Sequence, residues 1–370
     1  MAAPRVLQVV LSLNPGGTES LVVQLAARLN GSMPMMVCCL DDAGAWAPRL
    51  ETQGIEVIAL DRRPGFQPAV GQAIAKAVRH HRATMIHAHH YSSFVYSCLA
   101  KAWHPSLPIV FTEHGRVSDA APSAKRRVAN RILGTLPYRV FTVSEELKAH
   151  LNAEGFAKDS IDVIYNGIEV GPLPDPSLRA QVRQELGMAA DGLVVGTIGR
   201  LDPVKDHAML IRAIDQIAPN KQVLLIIIGD GAERERLEQV VAEMKSPSRV
   251  RFLGHRDDAR RWLAGCDVYV NSSISEGISL TILEAMAAGL ATVVTRVGGT
   301  PEVVDESCGR FVPPRAPNVL ADTLGVLADD PALRHELGQR ARQRVETRFT
   351  VERMVEQYRT VYESTLLRRN

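Results

Sequence analysis

Short, nearly continuous hydrophobic runs alternate with segments of helical period along this chain, and that alternation limits its fold more than any other feature. The runs are Val6–Leu13, Met35–Leu40, Val57–Leu60, Met85–His89, Ile109–Thr112 and Val140–Val143, most of them bounded by Gly, Pro, Asn or Asp. A strand with one wet face alternates apolar and polar residues, whereas a parallel strand covered on both faces reads as an unbroken apolar run. Helical patterns such as Ser20–Leu29 and Pro68–His81 fall between the runs, which predicts a doubly wound parallel sheet. Three prolines within Gly171–Ser177 then interrupt the chain. The alternation restarts at Leu193–Ile198, Val223–Ile228, Val250–Leu253, Val268–Val270 and Thr292–Thr295, with helices such as His207–Ile217 and Glu233–Met244 between. Two α/β domains in tandem are expected, over 1–172 and 178–350, and residues from Pro317 on read as helices with no further strand. At 370 residues and 46% hydrophobic, the chain can fill two cores.

Composition narrows the functional classes. Lys plus Arg is 43 and Asp plus Glu 41, and aromatics are only 5%. That disfavours a dedicated nucleic-acid binder, which needs a larger basic excess and stacking rings. The five cysteines are scattered, odd in number and without a CxxC pair, as expected of buried thiols in a reducing compartment. The opening run lacks a small-x-small cleavage site and enters a Gly turn, so it reads as a first strand rather than a leader. No stretch approaches the roughly 20 apolar residues of a membrane span. The expected location is cytoplasmic. Lys125–Arg127 with Arg131 forms a basic cluster on a predicted helix, which fits either a peripheral contact with anionic lipid at the inner membrane face or an ordinary solvated surface.

In doubly wound sheets, ligands sit outside the carboxyl ends of strands, so the loops there carry the chemistry. After the first strand, Gly16 and Gly17 lead into a helix; they suit close approach of an anion, or a plain turn. His87 and His89 share one face of a strand, followed by His90, and Glu113 and His114 end the next strand. The His pair reads as polar loop histidines at a strand end, or as a hydrogen-bonding wall of a cleft, more readily than as half a metal site, since no partner ligands accompany it. His114, followed by glycine, suits donation to a hydroxyl or phosphate; alternatively Glu113 and His114 cap a turn. In the second half, Gly199 precedes Arg200, and Lys205 follows five positions later, a spacing at which both can converge on a diphosphate. Glu276 lies in a Gly-containing loop, and Glu284 follows at E-x7-E spacing in a compact apolar helix. The N–H groups of Gly277, Ile278, Ser279 and Leu280 would point at phosphate. GxGxxG, the P-loop motif and Asp-x-Asp are all absent.

Taken in order, these loops resemble glycosyltransferase family 4, the retaining GT-B enzymes. The resemblance rests on Gly16-Gly17, Thr112-Glu-His114, Val143-Ser144, Tyr165-Asn-Gly167, Gly199-Arg200 with Lys205, Gly229-Asp-Gly231, Phe252-Leu-Gly254 and Glu276-x7-Glu284, and covers essentially the whole chain. It implies two Rossmann-like domains facing a cleft, with a final helix near 351–367 crossing back onto the first. It implies a nucleotide-sugar donor, UDP-sugar ahead of GDP-sugar, and a glycan or lipid-linked acceptor in surface polysaccharide synthesis. Arg200 and Lys205 would bind the diphosphate, Glu284 the ribose, Glu276 the sugar hydroxyls, and His255 and Arg256 the base. His114 would line the reaction centre, with His87, His89 and Glu113 on the acceptor side.

Two departures qualify it. Val204 and Asp206 flank the loop lysine where the family often has Glu and Gly, and Ile278-Ser279 stands where Phe-Gly or Leu-Pro is common. The second bears on the sugar pocket. With cations to hold the leaving diphosphate, no metal and no cofactor is expected. A nucleotide-sugar epimerase on the same scaffold and a non-catalytic nucleotide-sugar-binding partner are the rival readings.

Overall fold

In the computed structural model of the chain, residues 3–115, 124–133, 138–157 and 161–367 are described, apart from the side chains of Lys125, Ile132 and Tyr138. The chain divides into two compact units, 1–167 with 351–370, and 168–350. The division falls at Gly167 and Ile168, so the Pro-rich stretch lies inside the second unit. There Asp175 caps the helix α7 (Pro176–Glu185) by accepting from Ser177 N, and Pro176 takes the first helical position, where a missing N–H costs nothing.

The first unit is a seven-stranded parallel sheet. Its strands are β1 (Val6–Val10), β2 (Met35–Cys39), β3 (Glu56–Ala59), β4 (Met85–His89), β5 (Ile109–Glu113), β6 (Tyr138–Thr142) and β7 (Ile161–Val163), in the spatial order β3-β2-β1-β4-β5-β6-β7. The helices α1 (Gly17–Leu29), α3 (Ala69–His81) and α4 (His90–Ala100) follow β1, β3 and β4. The last helix, α15 (Val351–Leu367), belongs to this unit. Its Val351, Met354, Val355, Tyr358, Val361 and Tyr362 are buried, at the spacing of one helical face.

The second unit has six parallel strands, β8 (Leu193–Ile198), β9 (Val223–Ile228), β10 (Val250–Gly254), β11 (Val268–Asn271), β12 (Ala291–Thr295) and β13 (Gly309–Val312), in the order β10-β9-β8-β11-β12-β13. β9 reads VLLIII and is buried along its whole length, as a central strand covered on both faces should be. The strand order reverses between β1 and β4 in one unit and between β8 and β11 in the other. Doubly wound sheets bind ligands at such switch points. The Gly16-Gly17 turn and the His89-His90 turn flank the first; the Arg200 loop and the Glu276 loop flank the second. All five cysteines are buried free thiols. No described helix is long and apolar enough to cross a membrane.

Candidate functional site

In the second unit, three adjoining loops hold one another through their backbones. Gly229 N donates to Gly254 O, Gly199 N to Ile228 O and Leu201 N to Asp230 O. The approach is close enough that a Cβ on Gly229 would sit 1.9 Å from Gly199 O. This fixes the path of the loop that carries Arg200 and Lys205. Arg200 itself is exposed and pairs with Asp202 at 3.2 Å. His207, at the start of α8 (His207–Gln216), is buried and faces the Arg200 carbonyl; burial pushes its pKa down to about 4, so the ring is neutral.

Lys205 turns inward. Its Nζ lies 2.5 Å from Glu276 Oε1, which also accepts from Asn271 Nδ2 at 3.0 Å and Ser273 Oγ at 2.7 Å. Burial alone would raise the Glu276 pKa, but Lys205 and these donors outweigh it and hold it below the ordinary carboxylate value. The backbone of Glu276 is gripped as well. Gly299 N donates to its carbonyl, and a Cβ on Gly298, whose φ is +49°, would sit 1.8 Å from that oxygen.

The loop ends at Ser279, the residue before α11 (Leu280–Ala287). The Ser279 hydroxyl bonds to Thr281 Oγ1, which is also held by Tyr269, and does not cap the helix. The first-turn N–H groups therefore receive nothing from that side chain. Ile278 is buried while Gly277 is partly open. Glu284, one turn into α11, is paired with Arg260 at 3.1 Å; burial raises its pKa despite that cation. A cleft of about 110 Å³ beside it is lined by Arg260, Glu284, Ile168 and Gly171. After β10, His255 is exposed, and Arg256 donates to Leu253 O and stacks over the Trp262 ring.

In the first unit, Gly16 adopts an extended conformation and precedes α1 without a side-chain cap. A Cβ there would meet Glu19 Oε2 at 2.1 Å. His114 is partly exposed, whereas His87, His89 and Glu113 are 0%, 2% and 1% exposed. That corrects the expectation that these three wall the acceptor side. They have no surface for an acceptor to touch and stand behind His114 and His90. Glu113 Oε1 lies 2.9 Å from His90 Nδ1, and His90 Nε2 lies 3.0 Å from Thr18 Oγ1. Burial works against charge on His90, but Glu113 prevails and raises its pKa. His90 also has φ +69°, a strained conformation for a non-glycine residue. Of the basic cluster on α5 (Ala124–Leu133), Arg126 bends back onto the Tyr91 ring and Glu154, and the Lys125 side chain lies outside the described residues.

Two sheets of doubly wound topology, each with glycine turns and charged loops at its switch point, define a GT-B architecture. Residues 15–171 match the family described as Glycosyltransferase Family 4, and 192–330 the family described as Glycosyl transferases group 1. The chain belongs to these GT4-type glycosyltransferases. It is 32% identical over 192 residues to N-acetyl-alpha-D-glucosaminyl L-malate synthase of Bacillus anthracis, covering 50% of this chain and 49% of the relative. It is 31% identical over 228 residues to the lipopolysaccharide core biosynthesis glycosyltransferase LpsD of Rhizobium meliloti, covering 61% and 64%. The chain thus spans about half to two thirds of the length of these curated relatives. Anabaena HepE in complex with UDP is 27% identical, with a TM-score of 0.86 covering 97% of this chain and 100% of HepE. HepE in complex with UDP-glucose superposes with a TM-score of 0.84.

The residues missed in the sequence are supports. Asn271, Ser273 and Arg260 position the two glutamates, and Gln8, Thr18 and Tyr362 surround the histidines. Asn271 and Ser273 lie within five residues of Glu276 and were open to discovery; Tyr362 carries no local signal.

Proposed function

We propose that this chain is a retaining glycosyltransferase that moves a hexose from a UDP-sugar to a glycan or lipid-linked acceptor in surface polysaccharide synthesis, without a metal. The observation that carries this is the Glu276 carboxylate, ionised and aimed by Lys205, Asn271 and Ser273, immediately before a helix start that its own serine leaves uncapped. An ionised carboxylate accepts hydrogen bonds from sugar hydroxyls, and the helix N–H groups donate to phosphate oxygens. Arg200, exposed and paired with Asp202, and Lys205 supply the positive charge that a departing diphosphate needs in place of a metal ion. Glu284 is the ribose ligand in this reading, its Arg260 partner orienting it, and His255 and Arg256 would hold the base. Gly16 and Gly17 would approach the phosphate, and His114 would serve the reaction centre. The UDP and UDP-glucose complexes of HepE favour a uridine donor, and LpsD favours a saccharide acceptor of the surface-polysaccharide type.

The test is nucleoside diphosphate release from a panel of UDP-, GDP- and ADP-sugars, with and without EDTA, beside Glu276→Ala. Slow release from UDP-sugars that survives EDTA and falls about 10²-fold in the variant is expected. Release that EDTA abolishes, or that Glu276→Ala leaves unchanged, overturns the metal-free site. A product that is an isomerised nucleotide sugar overturns the transfer.

A further inference from the structure

Seven side chains of the first unit form one unbroken hydrogen-bonded chain from the His114 ring to the last helix. His114 Nε2 lies 2.9 Å from His89 Nδ1, and His89 Nε2 lies 2.8 Å from Gln8 Oε1. Gln8 Nε2 is 3.1 Å from the Tyr362 hydroxyl, itself 2.7 Å from His87 Nδ1. His87 Nε2 is 2.8 Å from Thr112 Oγ1, which is 3.1 Å from the Tyr358 hydroxyl. The strand register brings the members together, since Gln8 stands beside His87 and His89 beside Thr112. All but His114 are buried.

Such a chain can run in either direction, and the Gln8 amide chooses. Its Nε2 also faces Met35 Sδ, at 3.7 Å. The flipped amide would set a carbonyl oxygen against that sulfur, two acceptors with no proton between them. With Oε1 toward His89, the His89 ring donates from Nε2. Burial first, then the neighbouring His87 and His90, keep His89 neutral. Its Nδ1 is therefore bare and accepts from His114 Nε2. His114 is neutral for the same kind of reason, burial and then His89 and His90. Its single ring proton is used inward. Its Nδ1 is buried and without a partner among the described residues, and a lone pair so placed is costly unless something bonds to it.

We propose that Gln8 and Tyr362 are positioning residues that hold His114 in its Nε2–H tautomer, so that Nδ1 serves as an acceptor for one hydroxyl of a bound sugar. His114 then receives a hydroxyl proton in a hydrogen bond and does not donate to the departing phosphate. The sugar in this inference rests on the glycosyltransferase reading; the tautomer does not.

The experiment is nitrogen-15 NMR of the histidine rings in the full, ligand-free chain, with His114 identified by the resonances lost in His114→Gln. The expected spectrum has His114 Nε2 protonated and Nδ1 unprotonated. A protonated Nδ1 overturns the proposal. Gln8→Met removes the acceptor at His89 and should give mixed His114 tautomers. Tyr362→Phe should loosen the Gln8 amide with a smaller shift in the same sense. In sugar-nucleotide turnover, Gln8→Met should lower kcat about tenfold, with donor KM within about twofold, since an orienting defect acts on the chemical step. A pure tautomer in a folded Gln8→Met, or an unchanged kcat beside an altered tautomer, overturns the positioning role. If Gln8→Met does not fold, the wild-type spectrum still decides the direction of the chain. Absence of turnover with every donor counts against the enzymatic reading and leaves the tautomer spectrum to stand or fall by itself.

Discussion

Removing the Lys205 ammonium strands a carboxylate. Glu276 has only a tenth of its side chain exposed and sits 2.5 Å from Lys205 Nζ. Deleting one partner of a buried pair costs about 3–5 kcal/mol, most of it the penalty of leaving the other charge uncompensated. Asn271 and Ser273 still donate to Glu276, so Lys205→Ala belongs at the lower end, near 3 kcal/mol. For a unit spanning 168–350, that corresponds to a fall in Tm of about 10 °C. Adding Glu276→Gln removes the stranded charge while keeping an oxygen for Asn271 and Ser273. The double variant should recover about 2 kcal/mol of the loss. Turnover should stay at least about 10²-fold below wild type in both, because the same two groups are then missing from the site. Chemical denaturation of the four proteins of the cycle, with diphosphate release, reads both quantities. The pH dependence has a definite sign. The folded pKa of Glu276 is depressed, so its contribution is present above the unfolded carboxyl pKa of about 4.3 and is lost as pH falls through the folded value. The gap between wild type and Lys205→Ala should therefore narrow on acidification below about pH 4. A Lys205→Ala protein as stable as wild type, or a double variant no more stable than the single, would refute the reasoning.

Gly298→Ala places a Cβ 1.8 Å from Glu276 O at φ +49°, whereas Gly31→Ala meets nothing within 4 Å. Denaturant melts should show a loss of at least about 2 kcal/mol for the first and less than about 0.5 kcal/mol for the second. The raised pKa of His90 means that its pairing with Glu113 contributes fully below the unfolded value near 6.5 and is lost as pH rises through the folded value. The stability difference between wild type and Glu113→Gln should thus be larger at pH 6 than at pH 9; a difference independent of pH would exclude a charged His90. Burial pushes the Cys98 and Cys266 thiols up to about 12, so thiolate reagents at pH 8 should label neither until denaturant is added; mass spectrometry of peptides checks this.

Most strands could be read directly because the apolar run is the physical requirement for a strand covered on both faces. β4, β8 and β9 fall on the expected residues. The two that escaped notice, β7 and β13, are the outermost strands on one side of each sheet. An edge strand needs less apolar surface, and these short segments carry Asp162 and Arg310 in their middles. The Pro-rich segment was legible as a break, yet Pro176 opens a helix, because proline at a first helical position and proline in a linker look alike in sequence. At the site, the Lys205, Glu276 and Glu284 loops were visible from residue type and spacing. The inward turn of Lys205 was not, since spacing says nothing about which carboxylate a flexible ammonium meets. Their spacing puts His87 and His89 on one strand face, but the cover on that face comes from Tyr358 and Tyr362, more than 240 positions away. The one faint local sign was Gln8, an amide in the middle of the otherwise apolar run Val6–Val10.

The partners of Gln8 also set an order of events on the ribosome. Tyr362 lies 354 positions after it, and chains grow at about 5–20 residues per second. Gln8 therefore waits roughly 20–70 seconds for Tyr362, and the strands that end before residue 167 wait roughly 10–40 seconds for the helix that completes them, while every strand of the second unit is synthesised in between. During that interval Gln8, His87 and Thr112 have no tyrosine to bond, and the apolar groove that α15 fills is open to water or to a chaperone. Shortening the chain by its last helix would make that interval permanent. A nascent-chain experiment should accordingly find the 168–350 unit resistant to protease before the residues that precede it.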